Sequence, residues 1–240
     1  MPSAKKISII VPVYNEEATV AYVIQRLCDA DVRGWEKEII VVDDGSRDAS
    51  RQRIAESSHA GDLILIAHEK NQGKGAAIRT GLAAATGDAV LIQDADLEYD
   101  PADIAGLIAA FDRHGRETVV YGSRELTPER RGYPHYVLGV KFLTALANFS
   151  FGSSLTDIYT GYKLFPTSAI KKMPIASAGF EFEAEVTARL LGAGVAIVEV
   201  PICYNPRTFK EGKKIGVRDG LRGMVTILSY RWGKGTTSEK

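Results

Sequence analysis

Short runs of Val, Ile and Leu alternate with helix-patterned stretches through the first half of this chain, and that alternation limits the fold more than any other feature. Residues 7–13, 38–42, 63–67, 89–93 and 118–121 are nearly continuous aliphatic or β-branched runs of strand length. Between them, 16–30, 73–85 and 101–113 read as helices. The first sets Val20, Val23, Ile24 and Leu27 on one side, the second is built of small residues suited to lying close on a sheet, and the third has Pro101 near its first turn. A further helix is expected after Ser46 or Asp48, either of which can cap it. Strands apolar on both faces need covering on both faces, and helical crossovers connect parallel neighbours. The expected class is therefore α/β, with a mostly parallel, doubly covered sheet.

The second half is less regular. Residues 136–151 suggest an amphipathic helix with Val137, Val140, Leu143, Leu146 and Ala147 on one side. Residues 181–191 suggest another helix, 195–200 a strand, and 217–232 contain a last helix. With 45% hydrophobic residues in 240, one domain over 1–232 is expected, followed by a polar tail at 233–240. Thirty basic residues balance thirty acidic ones, so overall charge gives no reason to expect a nucleic acid partner. Cys28 and Cys203 lie in apolar surroundings without CxxC spacing, and are expected as buried free thiols. The apolar run after Lys5-Lys6 is short for a signal core and is interrupted by Pro12. No run reaches the roughly 18 apolar residues of a membrane span. The expected location is the cytoplasm, with contact at the inner face of a membrane left open.

In open α/β sheets ligands sit beyond the carboxyl ends of the strands. Three polar clusters fall there: Tyr14-Asn15-Glu16, Asp43-Asp44-Gly45-Ser46 and Asp94-Ala95-Asp96. Asp94 and Asp96 are the strongest signal. Two acids one residue apart at the end of a buried strand repel each other, and a hard cation such as Mg²⁺ or Mn²⁺ would compensate them, with Glu98 able to add a ligand. The bland reading is a loop of solvated acids. Asp43 could accept hydrogen bonds from a nucleobase or simply make a turn. Asn71-Gln72-Gly73-Lys74-Gly75, ahead of a helix carrying Arg79, could present amides and cations to phosphate, or could be a close-packed loop. Arg207, Lys210, Lys213 and Lys214 could neutralise a leaving diphosphate or form a solvated basic face.

Together with Val11–Glu17, Asp157-Ile158-Tyr159-Thr160-Gly161-Tyr162-Lys163 and the order of these clusters along the chain, the sequence resembles family 2 glycosyltransferases over about residues 5–230. Within that family it resembles the dolichyl- or polyprenyl-phosphate sugar synthases, the dolichyl-phosphate mannose synthase type. The resemblance implies a GT-A fold, with residues 1–125 as the nucleotide-sugar half and 126–232 as the acceptor half. It also implies a GDP- or UDP-sugar donor, Mg²⁺ or Mn²⁺, and inversion at the anomeric carbon. On this pattern Pro12, Tyr14, Glu16 and Asp43 hold the nucleoside. Asp94, Asp96 and Glu98 (where Gln is common) hold metal and diphosphate, and Arg207 and Lys214, with Lys74, contact the donor. Arg124 faces an acceptor phosphate, with Lys141 assisting.

A lipid monophosphate acceptor is already anionic and needs no strong base, so positioning and charge stabilisation would carry the reaction. In that case 136–151 and the arginines at 218, 222 and 231, with Trp232 and Lys234, suit a bilayer surface. A hydroxyl acceptor, as in the synthesis of a cell-envelope polysaccharide or glycolipid, needs a carboxylate to take its proton. Asp157 is then the first candidate and Glu181 or Glu183 the next, while the structural role of Asp157 would be pairing, for instance with Lys163. A sugar nucleotidyltransferase is a lesser alternative, since the segment after the first strand lacks a Gly-rich Arg/Lys loop.

Overall fold

The computed structural model describes residues 5–57, 59–115, 117–127, 133–207 and 216–233. Seven strands form one sheet: β1 (Lys6–Val13), β2 (Glu36–Asp43), β3 (Leu63–Ala67), β4 (Ala89–Ile92), β5 (Val119–Ser123), β6 (Lys163–Pro166) and β7 (Ile197–Pro201), in the order β3-β2-β1-β4-β6-β5-β7. The β1–β2, β1–β4, β2–β3 and β5–β7 pairs are parallel, whereas β6 runs antiparallel to both β4 and β5. The mostly parallel sheet is as expected. The antiparallel β6 and the short helix α6 (Thr167–Lys172) that follows it are not among the sequence expectations.

Both faces are covered, which explains the unbroken apolar strands. Ile7, Ile9 and Val11 of β1 meet Val23, Ile24 and Leu27 of α1 (Val20–Asp29), and the same layer includes Leu107 and Phe111 of α4 (Ile104–His114). On the opposite face Ile10, Ile40 and Val90 pack on Ala77, Ile78 and Leu82 of α3 (Lys74–Ala84) and share a cluster with Val186 of α7 (Phe182–Gly192). Gly81 in α3 sits where a β-carbon would collide with Ile10, so the small residues of α3 do permit close approach to the sheet. Helix α2 (Ser50–Ala55) begins later than expected, and the Asp48 carboxylate accepts the Ser50 N–H at 3.0 Å. Two long helices complete the second half, α5 (Pro134–Phe151) and α8 (Val217–Trp232), over a third cluster that contains Leu143, Ala147, Ile158 and Ile227.

Helix α5 is not amphipathic as expected. Leu143 and Ala147 are buried, but Leu138, Phe142 and Phe149 are exposed, so apolar residues run round the helix. Neither cysteine is in a disulfide, and neither is buried as expected: Cys28 is half-buried and Cys203 exposed.

A polar clamp ties the starts of β1, β2 and β4 together. Glu38 accepts from Lys6 Nζ at 2.7 Å, from the Ser8 hydroxyl, and from the N–H and hydroxyl of Thr86 at 2.7 and 2.6 Å. Burial alone would raise this carboxyl, but those donors outweigh it and lower it to about 2. A carboxyl lowered by folding contributes stability above its unfolded value and loses it as pH falls toward the folded one. Glu38→Gln should therefore cost about 2 kcal/mol at pH 7. The difference from the parent should shrink as pH falls from about 4.5 toward 2, as read by urea denaturation.

Candidate active site

The carboxyl ends of β1, β2 and β4 open into a cleft of about 430 Å³. Pro12 near the end of β1 and Tyr14 and Glu16 after it line the cleft, with Asp44 after β2 and Asp94, Asp96 and Glu98 after β4. Lys74 projects from the start of α3, and Arg124, Asp157, Glu183 and Arg207 enter from the second half. The three strand-end clusters thus converge as their positions predict.

Two backbone features aim the acids. Leu97 has φ 61°, a left-handed conformation unusual for a non-glycine residue, and it turns the chain sharply between Asp96 and Glu98. Gly161 lies where any β-carbon would collide with Asp94 Oδ2 and the Tyr99 ring, so only glycine lets this loop close on the acid. The Gly161 N–H donates to Tyr99 Oη at 2.8 Å, and Tyr99 stacks on Tyr162 with ring centroids 5.1 Å apart.

Charge in the cleft is unevenly matched. Lys74 Nζ lies 2.7 Å from Asp94 Oδ1 and 2.8 Å from Glu183 Oε1. Burial would lower the Lys74 ammonium, but the two carboxylates raise it well above its usual value. Lys74 therefore stays charged and joins the strand-end acid to α7, rather than reaching freely into the cleft. Asp96 fares differently. Burial, then Asp94, then Glu98 push its carboxyl up to about 7, and Arg207 offsets only part of this. The Arg207 guanidinium is committed mainly to both oxygens of Glu16, and its Nε donates to the Asp96 backbone carbonyl at 2.8 Å but stands 4.0 Å from Asp96 Oδ2.

Asp94, which shares Lys74 with Glu183, and the under-compensated Asp96 beside it together fit a hard divalent cation. No group of three or more His, Cys, Asp or Glu side chains is arranged to hold a metal among the described residues. The donor set therefore suits an ion that also takes oxygens from a diphosphate and water, as Mg²⁺ does.

Several expected residues do other work. Both Glu98 oxygens are engaged, Oε2 by the Tyr204 hydroxyl at 2.8 Å and Oε1 by the Arg207 N–H at 2.8 Å, so Glu98 fastens the 204–207 segment across the cleft. Asp43 is buried and its Oδ1 accepts the Ser46 N–H at 3.2 Å; its neighbour Asp44 lines the cleft, accepting from Gln72 and Gly73 N–H and bonded to His68. The turn reading of Asp43 is the one its geometry matches. Lys141 is exposed and pairs with Glu125 at 2.9 Å, outside the cleft lining. Lys210, Lys213, Lys214 and Lys234 lie outside the described residues.

Asp157 is fully buried and locked to Arg124 by two bonds, Nε to Oδ2 at 2.6 Å and Nη2 to Oδ1 at 2.8 Å. Burial raises its carboxyl, but the Arg124 charge and hydrogen bonds and the charge of Lys163 bring it below the ordinary range. That makes it an anchor and not a free base. Lys163 instead donates to the carbonyls of Ile158 and Thr160. Glu183 is the carboxylate the geometry favours. It is 5% exposed and lines the cleft, and its Oε2 has no hydrogen-bond partner among the described residues. Tyr99 and Tyr204, which frame Arg124 and the acids, are not among the sequence candidates; Tyr99 stands beside Glu98 in the chain, whereas Tyr204 is brought to the acids only by the fold.

The sheet order, the antiparallel β6 and the acid pair beyond β4 define a GT-A type glycosyltransferase fold. Residues 8–173 match the model of the family described as Glycosyl transferase family 2, and the chain belongs to that family. It is a glycosyltransferase, which sets aside the nucleotidyltransferase alternative. Among solved structures it is similar to glucosyl-3-phosphoglycerate synthase from Mycobacterium tuberculosis, with 24% identity and a TM-score of 0.73 over 95% of this chain and 81% of that one. The same enzyme with Mn²⁺, UDP-glucose and phosphoglyceric acid bound matches at 23% identity and TM-score 0.72, over 94% and 79% of the two chains. Its complex with Mg²⁺ and UDP gives 23% and 0.72, over 95% and 79%. At this identity the likeness establishes the fold. No helix among the described residues is long and apolar enough to cross a membrane.

Proposed function

We propose that this protein transfers a glycosyl group from a nucleoside diphosphate sugar to an acceptor hydroxyl, with Mg²⁺ or Mn²⁺ held by Asp94, Asp96 and the donor diphosphate. A UDP-sugar is the first donor to test, since the mycobacterial enzyme of the same fold binds UDP-glucose with Mn²⁺. When bound, the cation neutralises charge on the departing diphosphate. Pro12, Tyr14, Glu16 and Asp44 form the wall nearest the ends of β1 and β2 and would orient the nucleoside, and Arg207 would leave Glu16 to meet the diphosphate.

The observation that carries the hydroxyl reading is the unpartnered, buried Oε2 of Glu183 facing the cleft. As the acceptor oxygen bonds to the anomeric carbon, the bond from that carbon to the diphosphate oxygen breaks and the hydroxyl proton passes to Glu183. Attack opposite the leaving group inverts the centre. Lys74 holds the other oxygen of Glu183 and fixes its direction.

A second reading keeps the polyprenyl phosphate acceptor and the membrane contact such a lipid requires. It rests on Arg124 sharing the cleft with the apolar Val137 and Val140 and with Tyr136 of α5, a setting that suits a phosphate on a hydrocarbon chain. One substitution separates the two. Glu183→Gln should lower kcat with a hydroxyl acceptor by about a hundredfold or more, leaving donor KM within about threefold. With a polyprenyl phosphate, whose oxygen is already ionised, the same variant should keep its rate within about threefold. Parallel assays with phosphoglycerate, a sugar acceptor and undecaprenyl phosphate check this, and an unimpaired variant on every hydroxyl acceptor overturns the primary reading.

A further inference from the structure

Nine large hydrophobic side chains are exposed among the described residues, and six of them lie on two touching helices. On α5 they are Leu138, Phe142 and Phe149, which with exposed Ala145 follow an i, i+4, i+7, i+11 spacing. On α8 they are Leu221, Val225 and Trp232, and 221, 225 and 232 again share one face. Phe149 is 83% exposed and Leu138 70%, so these are not the edges of buried residues. Each stripe lies opposite the residues its helix buries: Leu143 and Ala147 on α5, Gly223 and Ile227 on α8. Scattered exposed leucines need no explanation, but two aligned stripes on neighbouring helices form a patch that a soluble monomer rarely carries without use.

The charges beside the stripes name the occupant. Arg218 and Arg222 stand on the exposed side of α8, and Arg231 lies beside Trp232 with its guanidinium 5.9 Å from the indole ring. Asp219 is the single acid of α8 against Arg218, Arg222 and Arg231, and the Lys141 charge on α5 is matched by Glu125. The chain as a whole is neutral, so this local excess of arginine is not a by-product of general basicity. Apolar and aromatic side chains flanked by arginine suit the boundary between acyl chains and anionic headgroups, and neither helix is long and apolar enough to enter further.

We propose that the outward faces of α5 and α8 dock this protein on the surface of an anionic phospholipid bilayer. The inference does not depend on which acceptor receives the sugar. None of Leu138, Phe142, Phe149, Leu221, Val225 or Trp232 lines the cleft, so the patch can be altered without touching the site.

Vesicle flotation of the full chain tests it, comparing vesicles of phosphatidylcholine alone with vesicles containing phosphatidylglycerol. The parent should float with the anionic vesicles and not with the neutral ones. Leu138→Ser/Phe142→Ser/Phe149→Ser and Val225→Ser/Trp232→Ser should each weaken partitioning by about tenfold or more. Arg218→Gln/Arg222→Gln should weaken it by about twenty-five-fold, at roughly fivefold per arginine, and raised salt should also weaken it. Circular dichroism and the melting temperature should stay at parental values in all three. Failure of the parent to bind anionic vesicles at millimolar lipid overturns the proposal, as does equal binding by folded stripe variants. A dimer by light scattering that the stripe variants dissociate also overturns it, because a second copy would then cover the face.

Discussion

Asp96→Ala should lower glycosyl transfer by about a thousandfold or more and leave the melting temperature unchanged or slightly higher. Sugar transfer to any acceptor puts negative charge on the departing diphosphate, and about 4 kcal/mol of lost stabilisation corresponds to that factor. The fold has a reason to tolerate the loss. Asp96 is pushed up to about 7 by burial and by Asp94 and Glu98, so its ionised form is held against repulsion in the protein alone. Asp96 lines the cleft beside Asp94, where a cation arriving with the donor would supply the missing compensation. The measurements are kcat at saturating donor and Mn²⁺, metal binding by calorimetry, and a thermal melt in chelator. A variant that keeps more than about a tenth of the parental rate would show that Asp96 does not serve the departing group.

The acids were legible because position and chemistry coincide in a short stretch: an apolar strand, then Asp94 and Asp96. The parallel strands were legible for a similar reason, since runs such as Ile39 to Val42 are buried throughout and advertise cover on both faces. What escaped depends on partners distant in sequence. Strand β6 is four residues that begin with a lysine and end with a proline, and nothing local marks it. Its pairing with both β4 and β5 makes it a strand. Residues 136–151 show helical spacing, and the side holding Leu143, Leu146 and Ala147 does face inward, but nothing local says that the opposite side also carries large apolar groups left exposed, as Phe142 and Phe149 are. Glu98 resembled a ligand by proximity to Asp96. Its engagement by Tyr204 and Arg207, more than a hundred residues away, is invisible to any local pattern.

Asp157 is the sharpest case of a residue rightly noticed for a role its surroundings do not support, and its substitution should separate anchoring from base catalysis. Asp157→Asn should destabilise the protein by about 3 kcal/mol or more, because it leaves the Arg124 guanidinium largely buried without its counter-charge. Activity should fall by about a hundredfold or more with either acceptor class, since Arg124, stacked over Tyr204 at 5.0 Å, loses the group that fixes it. A base would behave differently, losing rate with a hydroxyl acceptor while stability stayed near the parental value. The pair also sets a pH signature. The folded Asp157 carboxyl lies below its ordinary range, so its contribution is complete above about pH 5 and disappears as pH falls through the lowered value. In Asp157→Asn that part of the acid dependence should be missing. The double variant Arg124→Met/Asp157→Leu removes both charges and should recover stability to within about 1 kcal/mol of the parent while remaining inactive. Recovery of fold without recovery of turnover would place the guanidinium at the acceptor, with Asp157 behind it as its positioning residue. A stable Asp157→Asn protein whose loss is confined to hydroxyl acceptors would return the proton to Asp157 and take it from Glu183.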